Sequence, residues 1–329
     1  MLQPRAHRAA STRRVWVALV TVYIVWGSTY LAIRYAVTSI PPFLMGGVRF
    51  MIAGAALFAW DRIMVARAGV EVGVPPARRR REWLGALLIG GLLLLGGNGG
   101  VVWGEAHHVN SGISALIFAT LPMWMALLSF ALYRERLSLA VIGGLVLGFA
   151  GTALLVETTS RGSSGWTGPL VVLAGAFCWS LGSVLTRWAP LPERQTRSTA
   201  MQMLCGGALL ALAGVVTGEP SDLHLSAITA ASWTGFVYLV VIGSLVGFTA
   251  YTWLLPNAKL SLISTYAYVN PVVALFLGWA IAAEPITLRT FVASAVVIVA
   301  VVIIVTARGR EGRATRDQEP SDLAATELP

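Results

Sequence analysis

Charge is scarce in this chain. Of 329 residues, 12% are Asp, Glu, Lys or Arg, about half the share typical of soluble domains, so lipid rather than water is the implied solvent. Lysine is nearly absent, Lys259 being the single one among 24 basic residues. The arginines lie between apolar runs rather than in one patch, which argues against nucleic-acid binding despite a net charge of +9. Two cysteines, Cys178 and Cys205, sit inside apolar stretches and supply neither a disulfide framework nor a metal-binding spacing. No Asp or Glu falls deep within an apolar run, so a buried-carboxylate proton relay is not expected. A nucleophile with its base, paired membrane aspartates and a His-Glu-x-x-His helix are all missing, so neither an intramembrane enzyme nor a cofactor or metal site is expected.

What the chain has in abundance is apolar length. Hydrophobic residues make up 56% and mean hydropathy is +0.73. Runs long enough to cross about 30 Å of hydrocarbon occur at 15–36, 43–60, 83–104, 112–133, 139–156, 167–188, 198–217, 232–254, 261–283 and 287–306. The fold class expected is therefore an all-α polytopic membrane protein of ten spans. Basic residues gather before the first run (Arg5, Arg8, Arg13, Arg14), in every second connection (Arg62, Arg67 and Arg78 to Arg81; Arg134 and Arg136; Arg194 and Arg197; Lys259), and after the last (Arg308, Arg310, Arg313, Arg316). Arg161 and Arg289 are the exceptions. By the positive-inside rule both termini are cytoplasmic, in a multi-pass protein of a bacterial plasma (inner) membrane. Residues 1–14 are a basic cytoplasmic N-terminus, and the polar stretch 307–329 reads as a disordered cytoplasmic tail.

The chain also repeats itself. At a shift of about 150 residues, Trp26 and Arg34 match Trp179 and Arg187, Trp83, Gly85 and Trp103 match Trp233, Gly235 and Trp253, and Pro122 and Glu135 match Pro271 and Glu284. Arg49 falls opposite Gln202. The boundaries are 15–157 for the first unit and 158–306 for the second. Each unit holds five spans, an odd number, so the second enters the membrane from the opposite face. Inverted repeats are characteristic of secondary transporters, whose halves rock about a central site. A non-transporting receptor or assembly subunit is the alternative; short loops without a soluble domain speak against it.

The run Trp26-Gly27-Ser28-Thr29-Tyr30, Arg49 in the second span, Pro122 followed by Glu135-Arg136-Leu137-Ser138, and Pro271 followed by Glu284 resemble the EamA-type transporters of the drug/metabolite transporter superfamily. The resemblance implies a central cavity lined by the first four helices of each repeat, with the fifth and tenth helices peripheral, and export of amino acids, other metabolites or drugs. Gln202 in place of arginine, and Pro285 after Glu284, depart from the pattern in the second repeat.

Arg49 is the leading candidate for substrate contact. A full charge within a span costs about 2.5–3.5 kcal/mol at mid-helix and so faces the bundle interior or water, where its planar fork suits a carboxylate. Trp26, Tyr30, Trp179 and Tyr266 offer flat apolar surface with one polar handle each, and Asn98, Gln202 and Asn270 are amides within spans, able to bond a substrate or a neighbouring helix. Pro122 and Pro271 are expected to kink equivalent spans. Glu135 and Glu284 read as anchors pairing with Arg136 and Arg289 or with helix termini. Glu105, His107 and His108 read as a solvated external loop. Gly144 and Gly148 form a small-xxx-small face that suits either a homodimer or internal packing. The expected partners are thus a small-molecule substrate and the lipid bilayer, with nucleic acid excluded and a homodimer left open.

Overall fold

The computed structural model describes residues 11–69, 75–134, 138–160, 165–258, 260–263, 265–284 and 286–324. Arg5, Arg8, Glu135, Arg136, Arg161, Lys259 and Pro285, which figure in the sequence argument, lie outside the described residues.

Ten helical spans follow one another. They are α1 (Thr12–Ala36), α2 (Pro42–Arg67), α3 (Pro76–Ala106), α4 (Ser111–Phe118 and Leu121–Tyr133), α5 (Leu139–Ser160), α6 (Thr167–Leu185), α7 (Gln195–Val216), α8 (Ala230–Asn257), α9 (Leu260–Ile263 and Tyr266–Ala282) and α10 (Leu288–Ala324). Eight are long and apolar enough to cross a bilayer, and the apolar parts of α5 and α9 are shorter. Local chemistry sets several boundaries. Pro42 and Pro76 start α2 and α3, where a missing N–H costs nothing. Thr229 caps α8 by accepting from the Ser232 N–H at 3.2 Å. Arg78 to Arg81 belong to the first turns of α3 rather than to a loop, with Arg78 donating to Glu82 at 3.1 Å and Glu193 at 2.6 Å.

The repeat is visible in the backbone. α3 and α8 each contain a π-helical stretch at corresponding positions, Gly91–Asn98 and Leu239–Phe248. α4 and α9 are each broken, and each ends on a residue in the left-handed region, Arg134 and Ala283, 149 positions apart. The two units interlock: α1 packs on α8 and α9 while α6 packs on α3 and α4, α2 pairs with α7, and α5 with α10. Apolar burial drives no helix association in lipid, so close packing and polar contacts must hold these pairs. In the α2–α7 pair a Cβ on Gly47 would lie 2.6 Å from Ala211 N, so only glycine admits this approach. Carboxylates fasten the pair at both ends. Asp61, near the end of α2, accepts from Arg194 and Arg197 beside the start of α7, each at 2.8 Å. Glu219, beyond α7, accepts from the backbone N–H groups of Phe43 and Leu44 at the start of α2, at 3.0 and 2.7 Å.

Two expectations change here, those for Pro122 and for the tail, and the glycine face of α5 takes one of its two stated alternatives. Pro122 does not kink a continuous helix; it stands in the first turn of the second segment of α4, after a break at Ala119 and Thr120, where no donor is lost. Pro271 does lie inside a helical segment. The glycine face of α5 is consumed within the chain: a Cβ on Gly144 would sit 2.7 Å from Ile304 Cγ1, and one on Gly148 3.1 Å from Ala300 Cβ, both on α10. The tail read as disordered continues α10 as helix through Ala324; a span already formed supplies the nucleus, and each added residue needs only propagation.

Candidate functional site

The centre of the molecule is a small cavity of about 50 Å³, well below the ~300–1,000 Å³ of usual ligand pockets. α1 contributes Trp26, Thr29, Tyr30 and Ile33, and α2 contributes Arg49 and Phe50. Asn98 and Val101 come from α3, Phe118 from α4 and Trp179 from α6. Beside Trp179, the second unit contributes Gly243 and Phe248 from α8 and Tyr266 and Asn270 from α9. The π-helical stretches end on Asn98 and Phe248; an extra residue per turn re-aims side chains, and such stretches recur at functional sites.

Aromatic rings form the walls. Trp26 meets Trp179 edge-on at 5.4 Å, Tyr266 edge-on at 5.4 Å and Tyr251 at 4.7 Å. Phe118 and Phe248 close on Trp179 at 5.8 and 6.3 Å. Each tryptophan lies on a glycine of the opposite unit. A Cβ on Gly97 would fall 2.7 Å from Trp179 Cε3, and one on Gly247 2.7 Å from Trp26 Nε1. The Tyr251 hydroxyl is fixed at 2.8 Å from Ser183 Oγ and receives the Trp179 indole N–H at 3.3 Å.

Polarity is concentrated on few groups. Arg49 is 3% exposed. Its guanidinium carbon stands 4.1 Å from the centre of the Phe50 ring, its Nη2 reaches Asn98 Oδ1 only at 3.4 Å, and its Nε and Nη1 have no protein partner among the described residues. Asn270 Oδ1 is likewise buried and unpartnered. A cation with two unused donors and an unused carbonyl oxygen lining one aromatic cavity is a donor and acceptor set that suits an anionic group and a donor.

Seven of the eight candidates from the sequence, Arg49, Trp26, Tyr30, Asn98, Trp179, Tyr266 and Asn270, line this one cavity. Gln202 does not. It is buried on α7, donates to Ser198 Oγ at 3.0 Å, and packs its backbone on Gly90 of α3. The cavity also uses Thr29, from the Trp26–Tyr30 run, and Phe50, Phe118 and Phe248, which as ordinary apolar-run residues carried no signal.

Two charged groups lie near one end: Glu284 anchors on a helix terminus, one of the two expected alternatives, whereas Glu105 differs from expectation. Glu284 is 6% exposed and pairs with Arg34 at 2.6 Å, not with Arg289. It also accepts from Ser111 N and Oγ at 3.1 and 2.8 Å and from Gly112 N at 3.3 Å, tying α1, the start of α4 and the α9–α10 connection together. Glu105 is not solvated but buried, 6% exposed, with neither oxygen bonded.

A model of the EamA-like transporter family matches residues 14–157 and again 166–306. The chain belongs to the EamA-like transporter family. It is 36% identical over 292 residues to an uncharacterized inner membrane transporter, YedA, of Escherichia coli (strain K12), covering 87% of this chain and 89% of that protein. An uncharacterized transporter, YoaV, of Bacillus subtilis (strain 168) is 25% identical over 84% of this chain and 91% of its own length. A solved crystal structure, 23% identical, superposes with a TM-score of 0.59 over 90% of this chain and 98% of its own, which shows the shared fold. This EamA-family chain is therefore a multi-pass membrane protein of ten helices, and its relatives point to a transporter rather than an enzyme.

Proposed function

We propose that the protein is an alternating-access exporter of a small amphipathic metabolite carrying a carboxylate, an amino acid being the best fit, with both termini in the cytoplasm. The observation that carries this reading is Arg49, buried in the central cavity with Nε and Nη1 unpartnered. A substrate carboxylate satisfies those donors in bidentate fashion. Asn270 Oδ1 and Asn98 Oδ1 are acceptors for an ammonium group, and the Trp26–Trp179–Tyr266 enclosure takes an apolar side chain. The small volume requires the walls to part for entry, in keeping with two halves that rock. The arginine distribution supports the orientation, and with it Arg34 and Glu284 lie at the outer end and Asp61 at the inner.

The test is to express the wild type and Arg49→Ala at equal membrane abundance and profile extracellular metabolites by mass spectrometry. One class of carboxylate-bearing compound is expected to rise outside wild-type cells and not outside the mutant. Equal profiles for wild type and empty vector would remove the export reading and direct the search to uptake.

A further inference from the structure

Glu105 takes no part in the site described above, yet its position on α3 is telling. Asn98 and Val101 line the cavity, and Glu105 follows Val101 by four residues, on the same helix face and about 6 Å further along the axis. It thus stands between the cavity and the outer end, where Arg34 and Glu284 are joined. The side chain is buried and neither carboxyl oxygen has a hydrogen-bond partner among the described residues.

The groups facing it are few. Tyr30 and Arg34 approach from α1 and Glu284 from the α9–α10 connection, but the Arg34 guanidinium already holds Glu284 at 2.6 Å. Arg49 of α2 lies two turns away, beside Asn98. On its own helix, His107 stacks on Trp103 at 3.7 Å and places Nδ1 2.8 Å from the Trp103 carbonyl oxygen. α4 and α6 carry no charged residue. An ionised carboxylate buried without a hydrogen bond or a free counter-charge is strongly disfavoured, and such groups neutralise by taking a proton.

We propose that Glu105 is the proton-binding site of the transport cycle, coupling export to proton entry. With the outer end closed, the carboxyl carries its proton. When Arg34 and Glu284 separate, water and a free guanidinium reach Glu105, and it exchanges that proton with the outside. When the inner end opens, it exchanges through the cavity past Val101 and Asn98. Only a proton moves between a carboxyl oxygen and water; no other bond forms or breaks. Because Glu105 lies one turn beyond Val101 of the cavity wall, opening of either end brings proton and substrate sites to the same side in turn.

The inference rests on the transport reading, so its first test uses no transport. The purified protein in lipid is titrated while infrared difference spectra follow the carbonyl stretch of carboxylic acids, for wild type, Glu105→Gln and Glu105→Asp. An acid band that vanishes on alkalinisation in the wild type, is shifted in Glu105→Asp and is missing in Glu105→Gln supports the assignment. A wild type without a titrating acid band, or the same band in Glu105→Gln, overturns it. The second test uses proteoliposomes and a mixture of radiolabelled L-amino acids. At one proton per substrate, a gradient of one pH unit supports about tenfold accumulation. The wild type should show that gain, Glu105→Gln should lose it, and Glu105→Asp should recover it; a Glu105→Gln protein that responds to the gradient like the wild type overturns the coupling. If the wild type moves no amino acid, the substrate assignment fails, while the infrared titration still decides protonation.

Discussion

Replacing Arg49 by methionine should make the substrate-free protein more stable while destroying substrate binding. The guanidinium is 3% exposed and leaves Nε and Nη1 without protein partners. A buried unsatisfied donor costs about 1–3 kcal/mol, more when charged. The 3.4 Å contact with Asn98 Oδ1 is at the limit of a hydrogen bond, and the stacked contact with Phe50 returns about 0.5–2 kcal/mol. The balance is a net penalty, and an apolar side chain of similar length removes it, by analogy with buried charges whose apolar replacement gains about 1–4 kcal/mol. At about 2–4 °C per kcal/mol for chains of comparable size, the melting temperature should rise by roughly 5 °C. A thiol-reactive dye reporting exposure of the half-buried Cys178 and Cys205 is a suitable readout. Substrate binding moves the other way. Two charge-assisted hydrogen bonds contribute about 1.5–3 kcal/mol each, so affinity for a carboxylate ligand should fall at least about a hundredfold. A lower melting temperature in Arg49→Met, with export intact, would mean that Arg49 is a structural strut and that the anion site is elsewhere.

Gly97→Ala and Gly247→Ala each place a methyl group 2.7 Å from a tryptophan ring of the opposite unit; overpacking of this kind costs about 1–3 kcal/mol, and export per folded molecule should fall about tenfold or more when measured at matched expression. In the Arg34/Glu284 pair, Glu284→Gln should cost more than Arg34→Gln, because Glu284 also holds three donors at the start of α4; a double-mutant cycle in thermal unfolding should return a coupling of about 1–3 kcal/mol, and near-zero coupling would mean that the pair does not hold this end together. Asp61→Asn leaves Arg194 and Arg197 without their shared carboxylate; with one arginine half-exposed, the loss should be about 1–3 kcal/mol and smaller in high salt, as denaturant titration can check.

The spans and their number were legible because each is a long apolar run, and the doubling was legible because the groups Trp26–Arg34, Trp83–Gly85–Trp103 and Pro122–Glu135 recur in order, each with its internal spacing kept. Interlocked units then bring such equivalents together at the centre, which is why Trp26 and Trp179 touch. Gln202 shows where that logic stops. It matches Arg49 in the alignment of repeats, but α7 turns it toward Ser198 and the backbone of Gly90. The burial of Glu105 was hidden for a different reason. Hydropathy ends the third run at 104, while the charged neighbours of Glu105, Arg34 on α1 and Glu284 in the connection after α9, are far away in sequence. Tyr251 was invisible for the same cause: its partners Ser183 and Trp179 are 68 and 72 residues distant.

The contacts differ in how readily they can break, and this divides the molecule mechanically. The α2–α7 pair is packed backbone to backbone at Gly47 and at Gly207, where a Cβ would lie 2.9 Å from Met51 N, and it is fastened at both ends by Glu219 and Asp61. Separating it would strand two carboxylates and two arginines together. The contact of α1 with the α9–α10 connection is lighter: one arginine, itself 37% exposed, reaching one carboxylate. The same end of α1 is tied to α8 by Ser232, which donates to the Tyr35 carbonyl at 2.7 Å and meets Thr38 and Ser39 at 2.9 and 2.8 Å. Under the proposed alternating access, motion that opens the Arg34–Glu284 end should therefore break that one ion pair, carry α1 together with α8, and leave the α2–α7 pair in place. Arg49 rides on the fixed pair and Trp26 on the moving helix, so a bound carboxylate stays put while the aromatic wall opens around it. A disulfide-length crosslink between α2 and α7 should then be tolerated by export, whereas one joining the outer end of α1 to the α9–α10 connection should abolish it. The opposite pattern would move the axis of rocking away from α2 and α7.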